Sequence, residues 1–136
     1  MKIKVAENAK YLFRIHASIP RDGSQGVGEV KIFCYDVLLY LLNPDLLGFM
    51  AHDGCLFSEM DPRQKSTIFK IALELTQEKG LQYFVNVGDS TLKEVLDEDN
   101  KIGILNPEER QKIKDSIILE LNDENPSSWL FGTAFG

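Results

Sequence analysis

Residues 29–42 (Glu-Val-Lys-Ile-Phe-Cys-Tyr-Asp-Val-Leu-Leu-Tyr-Leu-Leu) contain no Gly or Pro and are apolar almost all round. They show no strand-like alternation, so they read as a helix, and a helix apolar on every side must be covered by other elements. Asn43-Pro44 ends it, because the residue before a proline is pushed out of the helical region. Phe33, Val37 and Leu41 are expected against a sheet.

A sheet is available to cover that helix. Residues 46–51 (Leu-Leu-Gly-Phe-Met-Ala) form a short apolar run between turn signals, the pattern of a strand buried on both faces of a parallel sheet. A polar loop follows over 52–60. Asp61-Pro62 then opens a helix, with Asp as cap and Pro in the first turn. Ile68, Ala72 and Leu75 repeat at helical spacing, and Gly80 stops the helix. Residues 81–87 (Leu-Gln-Tyr-Phe-Val-Asn-Val) are the next strand, ended by Gly88-Asp89. A strand–helix–strand unit of about thirty residues implies a right-handed crossover and parallel pairing.

Elsewhere, 10–18 alternates as a strand, 90–96 suits a short helix and 97–104 is charged and exposed. A helix spans 107–114, with Glu108 and Glu109 in its first turn. Residues 117–121 and 129–135 read as a closing antiparallel pair. The expected fold is α/β: one domain over 1–136, a mostly parallel sheet with helices packed on it and a closing C-terminal β-hairpin.

A chain of 136 residues with 43% hydrophobic and 26% charged residues is long enough for one core and too apolar for wholesale disorder. The net charge of −6 argues against direct nucleic-acid binding by this domain, which would need clustered Lys and Arg. Two cysteines, Cys34 and Cys55, set no disulfide framework and read as reduced thiols. The longest apolar stretch, 37–42, is too short to cross a bilayer, and the N-terminus has no signal-peptide core. These features suggest a cytoplasmic protein with no membrane association.

Three segments offer chemistry. The run 49–53 ends a buried strand in His52-Asp53, placing a carboxylate at the carboxyl edge of the sheet, where α/β folds bind ligands. Asp53 fits either a Mg²⁺-site acid or the cap of a turn. Ser58-Glu59-Met60-Asp61 follows; Asp61 fits either a helix cap or a contact across an interface. Gly23-Ser24-Gln25-Gly26-Val27-Gly28-Glu29 leads into the apolar helix. Glycines at a helix start expose backbone N–H groups to a phosphate, or simply make a flexible loop. It is not a P-loop, since no Lys-Ser or Lys-Thr closes it, and the third glycine of a dinucleotide loop is replaced by Lys31. A metal-dependent phosphoesterase would draw on His52, Asp53 and Asp89. No nucleophile triad is readable from His16 and His52.

Taken in order, these segments resemble the C-terminal half of an ABC-type ATPase head: signature loop, Walker B strand, D-loop, helix, switch strand. More narrowly, the chain resembles the domain of unknown function at the C-terminus of bacterial SMC-like coiled-coil ATPases. The matching motifs are Ile19-Pro20-Arg21-Asp22-Gly23-Ser24, His52-Asp53, Leu56-Phe57 with Asp61-Pro62-Arg63-Gln64, Gly80-Leu81-Gln82-Tyr83 and Leu130-Phe131-Gly132. The resemblance implies that Ser24, Gly26, Gly28 and Glu29 belong to the signature segment. It also makes Asp53 the Walker B acid, with His52 and Ser58 nearby, and Asp61 the D-loop acid at a head–head interface.

Gly54 stands where the catalytic Glu follows the Walker B acid, and Asn86, Gly88 and Asp89 stand where a switch His is expected. The chain has no Walker A. ATP and Mg²⁺ would therefore bind only in a complete assembly, with an N-terminal Walker A lobe or coiled-coil segment as partner and a homodimer as one arrangement. The isolated chain is not expected to be an active enzyme. DNA repair, defence or mobile-element function would suit such a head. The alternative is a stand-alone interaction module with a degenerate site.

Overall fold

A glycine sets the start of the first long helix. In the computed structural model, which describes residues 2–4 and 14–16 by their backbone and residues 26–122 and 129 in full, Gly26 caps helix α1 (Val27–Leu42) at φ 76°. A β-carbon on Gly26 would lie 2.8 Å from the Glu59 carbonyl oxygen and 2.9 Å from the Met60 Cα, and would also overlap the Gln64 side chain. Only glycine combines that left-handed backbone with so close an approach. The start of α1 and the turn before the next long helix are thereby pressed together.

The chain divides into two compact units, Met1–Leu105 and Asn106–Gly136. The first contains two small sheets. Strands β1 (Lys2–Lys4) and β2 (Arg14–His16) pair antiparallel, with Ile3 opposite Ile15. Strands β3 (Met50–His52) and β4 (Tyr83–Val85) pair parallel, with Ala51 opposite Phe84 and His52 opposite Val85. Helix α2 (Pro62–Lys79) connects them, so the strand–helix–strand unit with parallel strands is present as expected.

Local signals fix α2 at both ends. Asp61 and Gln64 form a reciprocal capping box, Pro62 occupies the first turn, and Gly80 closes the helix at φ 66°. Ile68, Phe69 and Ala72 make its buried face. Helix α3 (Asp89–Leu96) packs on α2: the buried Ser66 hydroxyl reaches the carbonyls of Pro62 and Val95, and the buried Lys65 ammonium meets Glu94 at 2.6 Å. Asp97 follows at φ 42°. Its carboxylate accepts the backbone N–H groups of Lys101, Ile102 and Gly103, which knots the charged segment ahead of the buried Leu105. The second unit begins with α4 (Pro107–Asp115), capped by Asn106 and Glu109.

The sheet is much smaller than the sequence suggested. The described residues form mixed α/β structure with four α-helices and a two-stranded parallel pair, so neither a mostly parallel sheet nor a closing hairpin is supported. Residues 46–51 extend only from Met50, because the N–H groups of Leu46 and Leu47 turn back to the Asn43 carbonyl. Residues 117–121 form no strand, and of 129–135 all but Trp129 lie outside the described residues. Helix α1 is also less covered than its composition demands: Phe33 is buried, Val37 is half-buried and Leu41 is exposed. No helix among the described residues is long and apolar enough to cross a membrane.

Two glycines separated by one residue should respond oppositely to the same substitution. Gly26→Ala strains the backbone and clashes with Glu59–Met60, so it should destabilise by at least about 1 kcal/mol. Gly28→Ala lies inside α1 with open space around its Cα and should stabilise by about 0.5 kcal/mol. Urea melts of the two variants check the pair.

Candidate functional site

At the carboxyl end of the parallel pair, β3 hands over from His52 to Asp53 and β4 from Val85 to Asn86. The Asn86 N–H donates to the His52 carbonyl at 3.2 Å, extending the pairing by one bond. A β-carbon on Gly54 would stand 3.3 Å from the Asn86 carbonyl oxygen. Two strands held this close leave little room for a larger residue after Asp53.

Asp53 is exposed and in extended backbone, and its Oδ1 accepts the Cys55 N–H at 2.7 Å. That bond opens a short 3₁₀ helix, Gly54–Phe57, which buries Leu56 and Phe57 and exposes Cys55. The backbone hydrogen bond from Cys55 holds the Asp53 carboxyl below its ordinary value. In return, hydrogen bonding to Asp53 and its negative charge raise the Cys55 thiol. A carboxylate depressed in this way supports the turn above its unfolded-state pKa; that support fades as pH falls through the folded value. Ser58 closes the turn, its hydroxyl donating to the Cys55 carbonyl at 2.9 Å. Met60 is buried, and Asp61 caps α2 with its carboxylate on the Gln64 N–H at 2.8 Å.

His52 lies on the other face of its strand, with only 8% of its side chain exposed. Its Nε2 is 3.0 Å from Asp36 Oδ2 on α1, and its Nδ1 is 3.0 Å from the Tyr83 hydroxyl on β4. A carboxylate only accepts, so Nε2 carries the hydrogen. In the tautomer with hydrogen on Nε2 alone, Nδ1 accepts from the Tyr83 O–H. Burial raises the Tyr83 phenol well above its ordinary value, which keeps that donor protonated. Phe33 packs against both rings, with centroids 5.7 Å from His52 and 6.5 Å from Tyr83.

The structure thus brings Gly26 onto the Glu59–Met60 turn and places Asp53, Ser58 and Asp61 along one connection between β3 and α2. Gly28 is exposed and Glu29 half-buried in the first turn of α1; Ser24 lies outside the described residues. Asp89 opens α3 and pairs with Lys93 at 2.6 Å. Among the described residues, no group of three or more His, Cys, Asp or Glu is placed to hold a metal ion, so His52, Asp53 and Asp89 do not form one. Sequence reasoning missed Asp36 and Tyr83. The available signal was Asp36 itself, the single acid in the apolar run 30–42.

Residues 1–135 match the model of a family described as an uncharacterised protein conserved in bacteria (DUF2326), and the chain belongs to that family. No curated protein and no solved structure matched the chain.

The coupling of Asp53 to Cys55 is directly testable. Asp53→Asn removes the charge that raises the thiol, so Cys55 should alkylate faster at mildly alkaline pH, with the rate of Cys34 unchanged. Mass spectrometry after timed iodoacetamide labelling reads both cysteines in one sample.

Proposed function

We propose that this family member is the C-terminal lobe of an SMC-like ATPase head. It would contribute a signature-like loop (Ser24, Gly26, Gly28, Glu29), a Walker B-like acid (Asp53) and a D-loop-like acid (Asp61) to an ATP site completed by another segment or chain. The main support is the seating of Gly26 on the Glu59–Met60 turn, with Asp53 exposed where β3 runs into that connection. The start of α1 thus meets the single connection, some thirty residues on, that carries both Asp53 and Asp61.

The residues present fit part of such a site. Asp53 commits one oxygen to the Cys55 N–H and remains exposed, so its carboxylate has acceptor capacity for a Mg²⁺ shell. Bound Mg²⁺ would neutralise charge developing on the transferred phosphoryl group. The phosphates themselves need cations and backbone donors, yet the sequence has no Lys or Arg between Lys31 and Arg63. A Walker A segment from elsewhere must supply them. Gly54 brings no base, and its closeness to Asn86 disfavours a Glu there, so the residue that orients water would also come from the completing segment. Among the described residues the parallel sheet has two strands, and such sheets are normally larger and covered by helices on both faces, which favours completion by a further segment.

The isolated chain should bind Mg·ATP more weakly than about 1 mM, if detectably, in titration calorimetry. Micromolar affinity would contradict the proposed division of the site. In a reconstituted full-length head, Asp53→Asn should lower ATP turnover by about tenfold or more, through loss of a charge beside the metal. Asn keeps the oxygen that caps the 3₁₀ helix, so the melting temperature should barely move. Asp53→Ala loses the cap as well and should cost about 1 kcal/mol. Unchanged turnover in Asp53→Asn would remove Asp53 from the site.

A further inference from the structure

Asp53-Gly54 is one of two Asp-Gly pairs in the sequence, the other being Asp22-Gly23. An Asp-Gly bond rearranges without an enzyme when its geometry allows. The glycine nitrogen attacks the aspartate Cγ and a water molecule leaves, closing a five-membered succinimide. Water then opens the ring at either carbonyl, restoring aspartate or giving isoaspartate, so one water is lost and one regained. In isoaspartate the main chain runs through Cβ and Cγ, and the carboxylate stands directly on Cα. Glycine favours the attack because it sets no side chain beside the nitrogen.

The folded turn opposes the first step. Asp53 is exposed, so burial does not protect it. Its backbone is extended, at φ −89° and ψ 159°. At that ψ the Gly54 nitrogen stands far from eclipsing Cβ, as the flat ring requires, so closure needs a large rotation about the Cα–C bond. Such a rotation would swing the residues that follow. Leu56 is 9% exposed, Phe57 is fully buried, and Gly54 rests close against Asn86, so the swing would first have to lift them out. The carboxylate is also engaged, accepting the Cys55 N–H at 2.7 Å. The same bond favours its ionised form, whereas the ring closes from the neutral acid.

We infer that Asp53-Gly54 is an isoaspartate-forming modification site, held inactive by the folded turn and released when Gly54–Phe57 opens. A short segment opens locally more often than the whole domain unfolds. The product would not reclose the turn, because the main chain is one atom longer after His52 and the carboxylate has moved from its place on the Cys55 N–H. The inference needs neither nucleotide nor metal, so it stands apart from the ATPase reading.

The test incubates the full chain at neutral pH, folded and in urea. After digestion, the aspartate and isoaspartate forms of each peptide are separated by chromatography and identified by electron-transfer fragmentation. In urea, Asp53 and Asp22 should isomerise at similar rates. In the folded chain, Asp53 should be slower than in urea by about tenfold or more, since only the locally opened fraction reacts. Phe57→Ala empties the seat of the turn and should raise the folded rate about tenfold. If that variant fails to fold by circular dichroism, Leu56→Ala replaces it. Equal rates at Asp53 in the folded and unfolded chain would overturn the proposal. So would the absence of isoaspartate at Asp53 in urea, or an unchanged rate in a folded variant with the seat emptied.

Discussion

His52 joins three elements through one buried ring. Asp36 reaches it from α1 and Tyr83 from β4, while β3 carries it. A parallel pair of three-residue strands has few backbone bonds to hold its register, and this chain of side chains supplies a fixed point. It is costly to disturb, because the buried His52 ring left unpaired would carry the desolvation penalty of its polar nitrogens. The position of Asp53 follows from it. Once His52 faces α1, strand alternation sends the next residue the other way, and the carboxylate emerges into solvent at the end of the strand.

The legible parts of the sequence were those decided within a few residues. Asp61-Pro62 and Gly80 delimit α2 because caps and stops act through neighbouring backbone groups. Asn106-Pro107 does the same for α4. Strand extent was less legible, since a strand ends where its partner ends. The run beginning at Leu46 is apolar enough for a longer strand, but its first residues are drawn into the turn that closes α1. The His52 network was hidden for a related reason: its partners lie 16 and 31 positions away and no periodicity links them. Asp53 was read as either a site acid or a turn cap. It does cap the turn, and its exposure leaves the first role available as well.

The division of labour between faces gives the molecule a polarity. One face of the parallel pair is finished by aromatic rings and a satisfied polar chain. The opposite face and the carboxyl edge end in exposed phenylalanines and acids. Helices α2 and α3 are locked to each other through Ser66 and Lys65.

The seat of Gly26 also has a genetic consequence. Glycine is encoded by GGN, and every single-base missense change of such a codon gives Ala, Val, Asp, Glu, Ser, Cys, Arg or Trp. Each carries the β-carbon that this site has no room for. Third-base changes are silent, so drift at this codon that keeps the chain intact meets either synonymy or collision, with no intermediate step through which the start of α1 could slide away from the turn it rests on.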